Sequence, residues 1–388
     1  MLTVYRNARV VLRDRVEDLC VVAEDGKIVG LSARAELPDA RTVDCGGSFL
    51  SPGFADIHVH GGGGYSAMSD KPEEIAAMAA SHARHGVTSI LPTALASPID
   101  RLRKAIDTVA RAKPLSEACH ILGVHLEGPF LSPAKAGAQA PGNLLPPTEE
   151  NALALLDYSK EIRMIGAAPE LEGGLRLGEL AAERGIVASV AHSDASFDVA
   201  KEALLHGYSD VTHIFSACSA MHKEGIFRKV GVAEAGLALD GYTAQFIGDL
   251  RHLPEGAIRL ILKAKGPEKA YLISDGLEFT GCGLPDGTEV TQENGQSALI
   301  EDGVMKLADR SCLAGSVTPL DTMVKNLVEV CGVSLPDAVR CASETPLRVI
   351  GFGDRKGRIA PGYDEDLVLF DASFRILRVV TGGKNVEI

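Results

Sequence analysis

Along the first fifty residues, apolar and polar positions alternate in short runs broken by tight turns. The runs 2–5 and 19–23 read as strands, Glu24-Asp25-Gly26-Lys27 as a hairpin turn and 28–31 as the returning strand. Asp44-Cys45-Gly46-Gly47 then leads into a longer strand over 49–60. From about residue 53 the texture changes. Short, mostly apolar runs at 87–93, 120–127, 162–168, 186–192, 210–215, 243–249, 270–275 and 311–316 read as strands. Between them, 72–86, 97–113, 148–160, 175–185, 196–207, 254–266 and 319–332 carry a helical period, and a further helix over 335–350 follows. Apolar strands separated by helices imply a parallel sheet buried on both faces. Eight or so such units over roughly 300 residues fit a closed (β/α)8 barrel, the TIM-barrel architecture, better than an open sheet.

Local signals support these elements. Thr318-Pro319-Leu320-Asp321 offers a capping hydroxyl, a proline at the first helical position and an acid at the third. Gly86, Gly185, Gly207, Gly266 and Gly332 stand where a left-handed residue would end a helix. The last stretch, at 356–370 and 376–381, returns to strand-like sequence. Both ends are therefore β while the middle is βα. The economical arrangement is a small β-sandwich domain formed from both chain termini, 1–52 with 355–388, and a barrel over 53–354 inserted between them.

A length of 388 residues, 46% hydrophobic and 23% charged, suits a soluble globular chain with an ample core. The net charge of −13 and the absence of a Lys/Arg run argue against nucleic acid as a partner. An anionic small molecule stays open, because a local cationic pocket can exist on an acidic protein. Eight scattered cysteines with no Cys-x-x-Cys read as reduced core residues rather than a disulfide framework. The N-terminus has no signal-peptide layout and no apolar run approaches a membrane span, so the expected location is cytoplasmic, without a membrane partner.

The chemistry lies at the predicted strand ends, where a parallel barrel carries its active site. In Pro52-Gly53-Phe54-Ala55-Asp56-Ile57-His58-Val59-His60 the two histidines fall on one side of a strand, and four glycines follow. Glu127 ends the run 121–126, His192 ends 187–191, His213 lies in 210–214 and Asp275 ends 271–274. Five possible ligands and one further carboxylate at predicted strand ends specify metal-assisted hydrolysis. Imidazole and carboxylate suit Zn²⁺, with Fe²⁺, Co²⁺ and Mn²⁺ as alternatives. Such an ion in an open site acidifies water and polarises a carbonyl, and a nearby carboxylate can carry the proton. His125 shares a strand face with Glu127 but reads as a buried histidine rather than a ligand. Gly61 to Gly64 lack the Lys-Ser/Thr of a phosphate-cradling loop and read as the turn beside the metal.

These motifs resemble the amidohydrolase superfamily and, within it, the N-acetylglucosamine-6-phosphate deacetylases. The resemblance rests on His125-Leu126-Glu127-Gly128-Pro129-Phe130, Ala191-His192-Ser193-Asp194-Ala195, Thr212-His213-Ile214-Phe215, Ser274-Asp275-Gly276 and Leu313-Ala314-Gly315-Ser316, and runs over nearly the whole chain. It implies a primary metal on Glu127, His192 and His213, a second on His58 and His60, and Asp275 as general base and then acid. Gln139, after Lys135-Ala136-Gly137-Ala138, falls where some members carry a histidine that polarises the acetyl carbonyl. Substrate contacts would come from Ala138, Gln139, Ser216, Ala217, Arg228, His252, Leu313, Ala314 and Gly315. The phosphate segments depart from the family pattern: serine replaces asparagine at Ser216, valine replaces proline at Val230 and leucine replaces glycine at Leu250. Arg251 and Lys229 add cationic charge nearby. In relatives the arginine crosses from a second subunit, which implies a homodimer; the plain alternative for Arg228 is a solvated surface charge. The expected reaction is deacetylation of N-acetylglucosamine 6-phosphate in amino-sugar recycling. The alternatives are the galacto epimer, another amide or cyclic amide on the same core, or a barrel that has lost its chemistry.

Overall fold

The computed structural model describes residues 2–35, 37–292 and 295–387. Eight parallel strands form the barrel: Phe54–Val59, Val87–Ala94, Val124–Glu127 (preceded by His120–Ile121), Ile162–Ala167, Val187–Val190, Tyr208–Val211, Thr243–Ile247 and Ala270–Ile273. The ring closes where the Asp275 N–H donates to the His58 carbonyl at 3.0 Å and the His60 N–H to the Gly276 carbonyl at 2.8 Å. The first two strands are buried at every position, as strands covered on both faces should be. Ile57, Ile90, Leu126, Ile165, Phe246 and Leu272 belong to one continuous core, each contributing about 1.5–3 kcal/mol by burial.

The helices follow the predicted period. In Ile99–Ala112, the buried Leu102, Ala105, Ile106 and Val109 repeat at three- and four-residue intervals. Thr148, Ser196 and Ser334 cap their helices by accepting from the backbone N–H three residues on. Gly86, Gly185, Gly207, Gly266 and Gly332 all adopt φ between +64° and +90°, as the stop signals required.

Other expectations are corrected. The stretch 311–316 is not a barrel strand. It makes only single bridges, Lys306 to Leu313 and Gly276 to Ser316, and positive φ at Arg310 and Gly315 interrupts any extended run. The predicted strand 49–60 divides at Gly53 into Phe49–Pro52 and Phe54–Val59, where a Cβ would lie 2.1 Å from Thr88 Oγ1. The predicted helix 335–350 breaks at Ser343 into Leu335–Ala342 and Glu344–Val349, because Pro346 cannot continue the hydrogen-bond ladder. Pro319 sits at the N-cap of Leu320–Glu329 instead of inside the first turn. Elements that lie outside the reading include the helix Val232–Ala238, the exposed hairpin His222–Glu224 with Phe227–Lys229, and the antiparallel sheet Thr288–Thr291, Ser297–Glu301 and Val304–Leu307.

Strands from both ends of the chain form one mixed sheet. Leu2–Val11 pairs with Val16–Glu24, with Arg41–Asp44 along one half and with Phe49–Pro52 along the other; Phe49–Pro52 then pairs with Leu367–Phe370. Its own core gathers Val10, Val21, Ile28, Leu50 and Leu367. Among the described residues no helix is long and apolar enough to cross a membrane.

Candidate active site

The carboxyl ends of the first, third, fifth, sixth and eighth strands converge at one mouth of the barrel. Glu127 is the last residue of its strand, and His192, His213 and Asp275 each stand two residues beyond theirs. These last three adopt φ of +45°, +24° and +47°, a region costing about 1–3 kcal/mol for a residue with a side chain. The turn aims each side chain at the barrel axis.

Glu127 is the hub. Its Oε1 lies 2.9 Å from His213 Nε2, 3.1 Å from His192 Nε2 and 3.4 Å from His58 Nε2. Its Oε2 lies 3.3 Å from His60 Nε2 and accepts a 2.6 Å hydrogen bond from Gln139 Nε2. Asp275 Oδ1 stands 3.3 Å from His60 Nε2 and 3.5 Å from His58 Nε2. The five side chains from His58 to His213 form two overlapping groups able to hold a cation, His58/His60/Glu127 and Glu127/His192/His213.

The donor set fits divalent metals. Each imidazole spends its Nδ1 on a fixed acceptor: His60 on the Thr93 carbonyl at 3.1 Å, His192 on that of Lys135 at 2.8 Å, His213 on that of Ser216 at 3.2 Å, and His58 on Gln245 Oε1 at 2.8 Å. Four Nε2 lone pairs are left pointing inward, as in carboxylate– and carbonyl–histidine metal sites. Charge agrees. Burial alone would strip the proton from His60, yet Asp275 and Glu127 raise it to about 10, and His58 is raised likewise by Glu127. Burial would also lift Glu127 and Asp275, yet the surrounding imidazoles hold both well below the usual carboxylate range. The two carboxylates hold protons on the His58 and His60 imidazoles, and a cation bound at those Nε2 atoms would take the place of these protons in neutralising Glu127 and Asp275.

Beside it opens a cavity of about 350 Å³. Of the expected substrate residues, Ala138, Gln139, Ser216, Ala217, His252, Leu313, Ala314 and Gly315 all line it. Arg228 does not. It stands on the exposed hairpin beside Ile226 and Phe227, which are 83% and 67% exposed. Lys229 is exposed and pairs with Glu224 at 3.5 Å, so neither cation reaches the cavity of its own chain. His252 Nδ1 bonds Asp249 Oδ2 at 2.7 Å. Burial would lower its pKa, but Asp249 raises it, and the ring lines the cavity. His125 is fully buried and packs edge-on against His58 with ring centroids 4.6 Å apart, outside both cation groups. The reading missed Gln245, whose signal was a lone glutamine in the apolar strand Thr243–Ile247, and Gln292, which enters the cavity wall from the unforeseen antiparallel sheet.

The model of the Amidohydrolase family matches residues 49–386. The N-acetylglucosamine-6-phosphate deacetylase of Bacillus subtilis (strain 168) is 30% identical over 388 aligned positions, covering 95% of this chain and 96% of the relative. The crystal structure of the enzyme of that name from Pasteurella multocida superposes with a TM-score of 0.92 at 26% identity, covering 99% of both chains. A variant of the N-acetyl-D-glucosamine-6-phosphate deacetylase of Mycobacterium smegmatis, solved with N-acetyl-D-glucosamine-6-phosphate, gives 0.90 at 27% identity, covering 100% of this chain and 99% of that one. The closed barrel, the strand-end ligands and this full-length likeness lead to one conclusion: the chain belongs to the amidohydrolase family, on the branch of the N-acetylglucosamine-6-phosphate deacetylases.

Proposed function

We propose that the chain hydrolyses the acetamide of N-acetylglucosamine 6-phosphate, releasing glucosamine 6-phosphate and acetate. The observation that carries this is a single mouth shared by five side chains able to hold cations, the Asp275 carboxylate and His252 across one sugar-sized cavity. Glu127, His192 and His213 would hold one divalent cation, and His58 and His60 with Glu127 a second. The donor set points to zinc, with iron, cobalt or manganese also compatible. Bound there, such a cation acidifies water and polarises an acyl oxygen.

The protein's own groups do the rest. Asp275, ionised at neutral pH, takes the proton of the attacking water as its oxygen bonds the acetyl carbon. It returns that proton to the sugar nitrogen as the C–N bond breaks. The Gln139 amide is fixed by accepting from the Ala96 N–H at 3.0 Å and donating to Glu127, which leaves its second amide hydrogen for the acyl oxygen. Ala138 and Leu313 to Gly315 shape the wall around the sugar, and Ser216, Ala217 and His252 face its phosphate. Arg228 serves the cavity of a second copy, carried there by the exposed hairpin whose tip presents Ile226 and Phe227, so the working form is a homodimer. Eight free thiols suit the reducing cytoplasm.

The test is ¹H NMR of zinc-loaded protein mixed with N-acetylglucosamine 6-phosphate. Acetate and glucosamine 6-phosphate should appear in equal amounts. Unchanged substrate, with zinc confirmed bound, would overturn the proposal.

A further inference from the structure

Below the cation cluster the barrel interior is polar where branched apolar layers are usual. Asp210 on the sixth strand and Gln245 on the seventh are both fully buried. Asp210 Oδ1 accepts from Thr243 Oγ1 at 2.5 Å, and its Oδ2 from Ser189 Oγ at 2.9 Å and from Gln245 Nε2 at 2.8 Å. Asp210 Oδ2 accepts from Gln245 Nε2, so the amide turns its nitrogen toward Asp210 and its oxygen toward His58. The Gln245 oxygen then takes the His58 Nδ1–H at 2.8 Å.

This sets His58 apart from its neighbours. His60, His192 and His213 are oriented by backbone carbonyls, which cannot reverse. His58 depends on a side-chain amide, which could flip and would then present a donor to Nδ1 and push the proton to Nε2, where a metal must bind. Burying Asp210 costs several kcal/mol, which a scaffold alone would avoid by using an apolar side chain. We propose that Gln245 and Asp210 are positioning residues: together they fix the His58 imidazole with its Nε2 lone pair toward the half-site it shares with His60 and Glu127, and so set the affinity of that half-site. The proposal rests on the reading that the cluster holds cations.

The experiment titrates zinc into metal-depleted full-length protein against a chromophoric chelator. His58→Ala marks which affinity belongs to this half-site. Gln245→Met, of equal volume and without an acceptor, should weaken that affinity 10- to 100-fold and leave the other within about threefold. Asp210→Asn/Gln245→Glu keeps the buried charge and reverses the donor, so an acceptor still faces Nδ1; it should bind within about threefold of wild type. Wild-type affinities in Gln245→Met would overturn the proposal, as would equal losses in both variants, which would mean that any disturbance of the layer suffices. A wild-type protein that binds no zinc would sink the cation reading and the proposal together. Should Gln245→Met fail to fold, ¹⁵N spectra of the zinc-loaded wild-type imidazoles decide. An Nδ1–H tautomer at His58 is expected, and an Nε2–H tautomer overturns the assignment.

Discussion

Lys356 is a cation with almost no access to water, its side chain 1% exposed. Its Nζ donates to Asp366 Oδ2, lies 3.1 Å from Asp364 Oδ2 and donates to His120 Nδ1 at 2.9 Å. Asp366 in turn ties three parts of the chain together. Its Oδ1 accepts from the Gly382 N–H at 2.8 Å and its carbonyl from the Gly53 N–H at 2.9 Å, where the first barrel strand begins. Lys356→Met keeps the volume and removes the charge, leaving the buried Asp366 without its lysine while Asp364 keeps Lys27 and Arg355. Breaking such a buried pair from one side costs about 3–5 kcal/mol. An unfolding entropy of about 2.1 cal/mol/K per residue gives, for this chain, about 0.8 kcal/mol/K. The melting temperature should therefore fall by about 4–6 °C in calorimetry at fixed zinc concentration. Removing the stranded charge as well, in Lys356→Met/Asp366→Asn, should recover part of the loss. His120–Ile121 precedes the strand that Glu127 ends, so the lysine lies at the opposite end of the barrel and the acetate-release rate should stay within about twofold. A shift under about 1 °C would refute the reasoning, since it would mean that Asp366 does not need this cation.

Further outcomes follow from the same geometry. Asp275→Asn should lower kcat by about 100- to 10,000-fold, the range of a positioned acid–base group, while zinc content by elemental analysis stays at the wild-type level. Stripping zinc with a chelator should lower the melting temperature by about 3 °C relative to protein held at a hundredfold excess over Kd, where binding adds about 2.7 kcal/mol. Burial would raise Asp364, but Lys27, Lys356 and Arg355 lower it to about 2, below its unfolded value, so its contribution is present above pH 4 and lost as pH falls through 2. At most about 2 kcal/mol is at stake, less after solvent screening of the half-exposed Lys27 and Arg355. Denaturant titrations of Asp364→Asn should accordingly converge on wild type as the pH drops from 5 to 2.

The barrel could be read in the sequence because its strands are apolar without alternation and its helices keep a 3.6-residue period between glycines that must turn left-handed. The candidate cation-holding residues were legible for the same reason: a histidine or carboxylate closing an apolar run has few other roles. What escaped notice had no such periodicity. The hairpin around Arg228 is exposed at every strand position, so no apolar alternation marks it. The sheet at 288–307 is built of strands only four or five residues long. The run 311–316 looked like a strand by composition, but the ring closes between the eighth strand and the first, leaving it no partner beyond single bridges. Gln245 was visible as a polar residue in an apolar strand, but its partner Asp210 lies 35 residues away and only the closed barrel brings them together.

The measurement that bears most directly on the account is the ratio of kcat/KM among three sugars on zinc-loaded protein: N-acetylglucosamine 6-phosphate, its galacto epimer and unphosphorylated N-acetylglucosamine. The account predicts the highest value for the gluco phosphate and a loss of at least about a hundredfold without the phosphate, as charged partners at His252 and Arg228 would give. Equal turnover with and without phosphate would contradict it, and would assign this cation cluster to a different amide.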